Sequence, residues 1–252
     1  FRRQQKLDGD VRPIIVNVCN FAKPPAGSPA LLSYDDARTL FHEFGHALHG
    51  MLSNQRYPSI AGTNTARDFV EFPSQFNENW MTEPRVLANF AKHYKTGAPM
   101  PAALVDKLQK ASTFNQGYAL GEAISAAMLD LDWHALPASA PRQDVGQFEA
   151  KALAATGLDT AHVPPRYRSS YFRHIWANGY AAGYYAYSWT EMLDHDAFAW
   201  FEANGGMTRA NGQRFRDMVL SKGHSLDYAQ MYRAFAGRDP SIEPMLKARG
   251  LK

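Results

Sequence analysis

Residues 42–46 read His-Glu-Phe-Gly-His, and two histidines four positions apart can serve one metal ion when the chain between them is helical. On a helix that step stacks the two imidazoles roughly 6 Å apart on neighbouring turns. The flanking residues agree with a helix. Ser33 with Asp36 makes a capping box, and Ala37, Leu40, Phe41, Phe44, Leu48, Met51 and Leu52 recur at steps of three and four. This apolar stripe is expected to face a core, with His42, His46 and His49 on another stripe. Glu43 lies about 100° around the helix from His42, poorly aimed as a ligand but within reach of a water at the ion. Gly45 costs about 1 kcal/mol relative to Ala in a helix interior, so close packing or substrate access is expected at that turn.

A third ligand is required, because a histidine-rich polar helix face would read the same way. Residues 66–75, ARDFVEFPSQ, place Glu71 among aromatic and aliphatic neighbours. A buried carboxylate needs a cation or a proton. Zinc is one such cation, and Arg67, one turn earlier, is the alternative. Pro73 predicts a kink or a fresh helix start. His49 is a rival third ligand, whereas His93, His134, His162, His195 and His224 lack ligand spacing to one another.

Residues 172–189, FRHIWANGYAAGYYAYSW, hold four tyrosines within eight positions, 180–187. Gly179 and Gly183 permit close approach of a ligand, and Tyr180, Tyr184 and Tyr187 share a side if the segment is helical. Composition alone reads equally as an aromatic core stripe with hydroxyls at its edge.

The stretch FHEFGHALHGML followed by GTNTARDFVEFPSQFNENW resembles the thimet oligopeptidase family of zinc metallopeptidases, family M3, and most closely its bacterial peptidyl-dipeptidase branch. The resemblance implies one zinc ion held by His42, His46 and Glu71, with Glu43 as general base and acid. It further implies that His174, Tyr180 and Tyr187 line the substrate cleft, Tyr187 being the first choice and Tyr180 the second for stabilising the oxyanion. Tyr184 is a weaker candidate for the same wall. The implied reaction is hydrolysis of short peptides, releasing C-terminal dipeptides; an endo-acting oligopeptidase and a zinc- or peptide-binding piece without turnover are the alternatives. The resemblance runs from KLDGDVRPIIVNVCNF to EPMLKARG but covers less than half of a full family chain. Residues 1–252 are therefore expected to be a C-terminal catalytic portion, whose missing N-terminal part supplies the opposite wall of a deep cleft.

Composition narrows the alternatives. The 27 basic and 24 acidic residues are intermixed, which argues against nucleic acid as a partner. No run of eighteen apolar residues or signal-like start is present, so no membrane partner is expected. The single Cys19, in an apolar run and expected to be buried, cannot form an internal disulfide and fits the cytoplasm.

The fold expected is mainly α, a multi-helix zincin-type region with a short β element beside the cleft. Residues 12–21, RPIIVNVCNF, read as a strand whose edge the resemblance would pair with substrate backbone. Helical periodicity recurs over 85–95, 102–111, 116–136, 145–155, 183–202, 213–221, 226–235 and 242–247. Residues 137–141, PASAP, form the best loop, and Gly205-Gly206 another break.

Overall fold

Ser33 begins the first helix through a reciprocal cap. Its hydroxyl accepts from the Asp36 N–H while the Asp36 carboxylate accepts from the Ser33 N–H, and helix α1 then runs Tyr34–Met51. In the computed structural model, which describes residues 1–252, α1 packs chiefly on a second helical stretch broken at Glu71. Helix α2 is Arg67–Val70 and α3 is Phe72–Glu78, with Pro73 in the first turn of α3, where its missing N–H leaves no bond unmade. The fresh start expected at Pro73 is therefore what places Glu71 at a helix junction.

The face α1 buries is not the one its apolar stripe suggests. Leu40, Phe44 and Met51 are exposed, whereas Gly45, Ala47, His49 and Gly50 are buried. Small residues win because α3 approaches too closely for large ones. A Cβ on Gly45 would lie 2.6 Å from both the Pro73 carbonyl oxygen and the Ser74 Cα. Gly45→Ala is accordingly expected to destabilise the chain by about 1–3 kcal/mol, despite the roughly 1 kcal/mol of helix propensity that Ala brings. Urea unfolding measures the balance, and a stabilised variant would mean that α1 and α3 can separate freely.

The remaining helices are α4 Pro84–Phe90, α5 Ala102–Ala111, α6 Gln116–His134, α7 Val145–Thr156, α8 Arg173–Ala177, α9 Ala186–Ala203, α10 Arg209–Phe215, α11 Tyr228–Ala236 and α12 Glu243–Ala248. Helix α4 stops short of the expected 95 because Lys92 turns to bridge Pro99. The periodicity over 213–221 divides between the end of α10 and a π-helical turn, Arg216–Leu220. No helix is long and apolar enough to cross a membrane.

Two apolar clusters flank the α2–α3 junction. The larger joins Phe69, Phe72 and Phe76 to Leu193 and Phe201 of α9, to Phe215, and to Met231 and Phe235 of α11. The smaller joins Ala126 and Ala127 of α6 to Phe172, Ile175, Tyr180 and Tyr184.

The β element is shorter than residues 12–21 predict. Antiparallel bridges pair Arg2 with Ile14 and Gln5 with Val11, and residues 15–21 continue without a ladder partner, Asn20 turning into the left-handed region at φ 53°. β-Branched residues alone do not make a strand when no second strand lies alongside. This segment does follow α1, since Ile15 packs against Gly50 and Cys19 lies near the Glu43 carboxylate. Cys19 is only partly buried, correcting the expectation from its apolar neighbours.

Candidate metal centre

Glu71, 4% exposed, points its carboxylate at the histidine face of α1. Its Oε2 lies 3.2 Å from His42 Nε2 and 3.1 Å from His46 Nε2. One ligand atom from each of these residues falls within 4.8 Å of the others, and no other group of histidines, cysteines and carboxylates converges this way. The two imidazoles stand nearly perpendicular at 5.0 Å between ring centres, as expected for side chains one turn apart reaching for a common point. His49 does not join them. It is completely buried behind the site, its ring edge-on to Phe69.

Carboxylates and hydroxyls outside the trio hold the ligands in place. His42 Nδ1 lies 2.6 Å from Glu78 Oε1, which fixes the ring and leaves Nε2 for the shared point. Glu78 is one α3 length beyond Glu71, and Arg38 lies 3.8 Å from its other oxygen. Ser74 donates to Glu71 Oε2 at 3.0 Å, and the Tyr180 hydroxyl donates to Oε1. Arg67, the alternative cation for Glu71, lies 4.9 Å over the Tyr180 ring instead.

The electrostatics favour positive charge at the shared point. Burial pushes the His42 imidazole toward neutrality, but hydrogen bonds and charge from Glu71 and Glu78 outweigh it and raise its pKa to about 10. Burial likewise pushes Glu71 up, and the bonds from His42, His46 and Tyr180 reverse that, holding it below the ordinary carboxylate range. Two imidazoles and a carboxylate converging in a pocket that attracts a cation are a donor set that fits zinc.

His49 responds in the opposite sense. Burial, aided by the charge of His46, lowers its pKa to about 3, and neither ring nitrogen has a partner. A folded-state pKa depressed below that of the unfolded chain gives stability that is intact above about pH 6.5 and lost progressively as the pH falls toward 3. By pH 5 the loss from this residue is expected to be about 2 kcal/mol. Thermal unfolding of the metal-free chain against pH should therefore be steeper on the acid side than that of His49→Leu. Parallel acid limbs would show that His49 titrates normally.

The tyrosine segment closes the site from the α9 side. Tyr180 and Tyr187 stack at 5.4 Å between ring centres, and the His174 ring lies 6.0 Å from each. Burial first, and then the charge of Glu71, raises the Tyr180 hydroxyl to about 12 and the Tyr187 hydroxyl further, so both remain proton donors at neutral pH. Burial lowers His174, keeping its ring neutral at the same pH, and its Nδ1 is buried without a partner. Tyr180 and Tyr184 also belong to the smaller core cluster, in line with the core reading of this stretch. Glu43 sits one position past His42 and is partly buried, with Cys19 close enough to feel its charge.

The molecule thus brings His42, His46 and Glu71 together and sets Tyr180, Tyr187 and His174 around them. Glu78, Ser74 and Gln75 were not singled out from the sequence. Gln75 donates to the Tyr187 carbonyl at 3.1 Å and so ties α3 to the start of α9. Its place in the VEFPSQ run, one turn past Glu71, was the available signal.

Comparison with known proteins identifies the family. Residues 2–251 match peptidase family M3. The chain is 55% identical to dipeptidyl carboxypeptidase of Escherichia coli strain K12 over 98% of its length, covering 36% of that relative. It is 38% identical to oligopeptidase A of the same strain, over 99% of the chain and 37% of the relative. Saccharolysin of Saccharomyces cerevisiae is 30% identical over 95% of the chain and 34% of its own length. The chain thus spans about a third of the length of the curated relatives it matches.

Proposed function

This chain belongs to peptidase family M3, and from that premise we propose that it is the metal-binding portion of a zinc-dependent peptidase that releases dipeptides from the C-termini of oligopeptides. The convergence of His42, His46 and Glu71 beside Glu43 carries the reading. When bound, one zinc ion supplies Lewis acidity, lowering the pKa of a water molecule toward neutrality and polarising the scissile carbonyl. Glu43 takes the proton from the attacking water and passes it to the departing amine, so that one carboxylate serves both transfers. Tyr187 donates its hydroxyl proton in a hydrogen bond to the oxygen on which negative charge develops. Tyr180 bonds Glu71 and stacks on Tyr187, which supports a holding role for it, with oxyanion donation as its second assignment. His174, whose ring is only partly buried, donates to a substrate carbonyl in this reading. The backbone of residues 15–19, lacking a ladder partner and preceding the left-handed Asn20, offers an edge to an extended peptide.

The dipeptide mode rests on the similarity to dipeptidyl carboxypeptidase, and the endo-acting alternative on the lower similarity to oligopeptidase A. Cytoplasmic location belongs to the same proposal and rests on the single unpaired Cys19. The deciding experiment digests an N-terminally blocked oligopeptide with the zinc-loaded chain and identifies the products by mass spectrometry. Loss of the two C-terminal residues as a dipeptide, abolished by chelation, is expected. Internal cleavage would establish the endo-acting reading. One zinc per chain without products would assign turnover to residues outside this third of the relatives' length.

A further inference from the structure

The tyrosine segment has no regular structure between α8 and α9, yet it holds one geometry against the metal site. Between Gly179 and Tyr185 the chain makes turns in which Ala182 takes a left-handed conformation, φ 50°. A residue with a Cβ adopts that region only when its surroundings impose it. Here the imposing group is Asp130, completely buried on α6. Its Oδ1 accepts from the Ala182 N–H at 2.9 Å, and its Oδ2 accepts from the N–H groups of Gly183 at 2.9 Å and Tyr184 at 2.8 Å. His134, one turn along α6, places Nδ1 2.8 Å from Oδ1. Three successive amides aimed at one point form an anion-binding concavity, and Asp130 fills it from within the chain.

We propose that Asp130 is a positioning residue for the candidate metal centre, clamping the middle of the tyrosine segment so that Tyr180 reaches Glu71 and Tyr187 faces the shared ligand point. Three tethers then hold the segment, one of them the bond the Tyr185 hydroxyl donates to Asp68 of α2 at 2.8 Å. Gln75 holds the Tyr187 carbonyl from α3, and Asp130 holds residues 182–184 from α6. The placement of α6 relative to α3 then sets where the tyrosine hydroxyls lie relative to the ligands. The charge of Asp130 matters as much as its shape, because Asn in its place would turn one acceptor into a donor facing backbone N–H groups.

This inference rests on the zinc reading for what the segment is positioned against, so its test reads Zn²⁺ affinity and amide exchange rather than turnover. Zn²⁺ binding by competition with a chromophoric chelator is compared in the parent chain, Asp130→Asn, Tyr180→Phe and the double variant. Asp130→Asn is expected to weaken binding about 10-fold, Tyr180→Phe by a similar factor, and the double variant no further, since both act through Tyr180. Amides 182–184 of metal-free Asp130→Asn should exchange at least ~10-fold faster, with residues 42–49 unchanged. Asp196→Asn is the control, since Asp196 is an equally buried carboxylate held by Tyr232 and Arg238 away from the site. It should lower thermal stability and leave Zn²⁺ affinity alone.

Parent-like affinity in Asp130→Asn, multiplying losses in the double variant, or an equal affinity loss in Asp196→Asn would overturn the proposal. Should Asp130→Asn show no cooperative melt, Asp130→Glu, which keeps the charge but displaces it by one methylene, is expected to lose affinity in the same direction. Parent-like affinity there would also overturn it. A parent chain that takes up no Zn²⁺ sinks the zinc reading instead, and amide exchange alone then decides whether the clamp exists.

Discussion

Glu43→Gln is expected to bind one zinc ion per chain with parent-like affinity and to lose peptide turnover by about 10³-fold or more, within the range general acid–base groups contribute when one residue serves two transfers. The two properties separate because they sit on different faces of α1. His42 and His46 aim at Glu71 Oε2, whereas Glu43 is the next residue round from His42 and contributes no atom to the ligand cluster. Gln keeps the volume and the hydrogen-bonding shape of the side chain but cannot accept a proton from water or return it to an amine. Metal content and kcat measured on the same zinc-loaded preparation decide the matter. Retained turnover would remove Glu43 as base, and loss of zinc would mean that it acts as a ligand.

What the sequence made legible was whatever local spacing controls. The α1 cap, the histidine pair and the helix restart at Pro73 each depend on residues within about one turn, and each is present. Glu71 needed more than spacing, because Arg67 was an equally near cation. Only tertiary packing, which lays Arg67 over Tyr180, removes that alternative. The apolar stripe of α1 misled for a related reason. Periodicity reports which residues are apolar, but α3 selects the face where the backbone can approach most closely, and that face carries Gly45 and Ala47. The strand expected over 12–21 failed because a strand is a property of two segments, and residues 15–21 have no partner in this chain. Asp130 and Glu78 were invisible because the bonds by which they serve the site span long stretches of sequence. Asp130 acts on amides more than fifty positions away, and Glu78 on a ring thirty-six positions earlier.

Tyr187→Phe is the second large effect, and its signature differs from that of Glu43→Gln and of Tyr180→Phe. Removing one hydroxyl that donates to a developing oxyanion is expected to lower kcat by about 10² to 10³. Zinc affinity should stay at the parent value, because no bond from the Tyr187 side chain reaches His42, His46 or Glu71, whereas the Tyr180 hydroxyl bonds Glu71 directly. The two stacked rings are thus separable by measurement: loss of rate without loss of metal at 187, and loss of metal affinity at 180. The Phe ring retains the stacking surface against Tyr180, so stability should change little. A burial-raised Tyr187 pKa keeps the hydroxyl protonated through neutral pH, and the parent rate should show no alkaline loss from this group below the usual tyrosine range. Unchanged kcat in Tyr187→Phe would pass the oxyanion role to Tyr180, and a matching loss of zinc would make Tyr187 part of the ligand support instead.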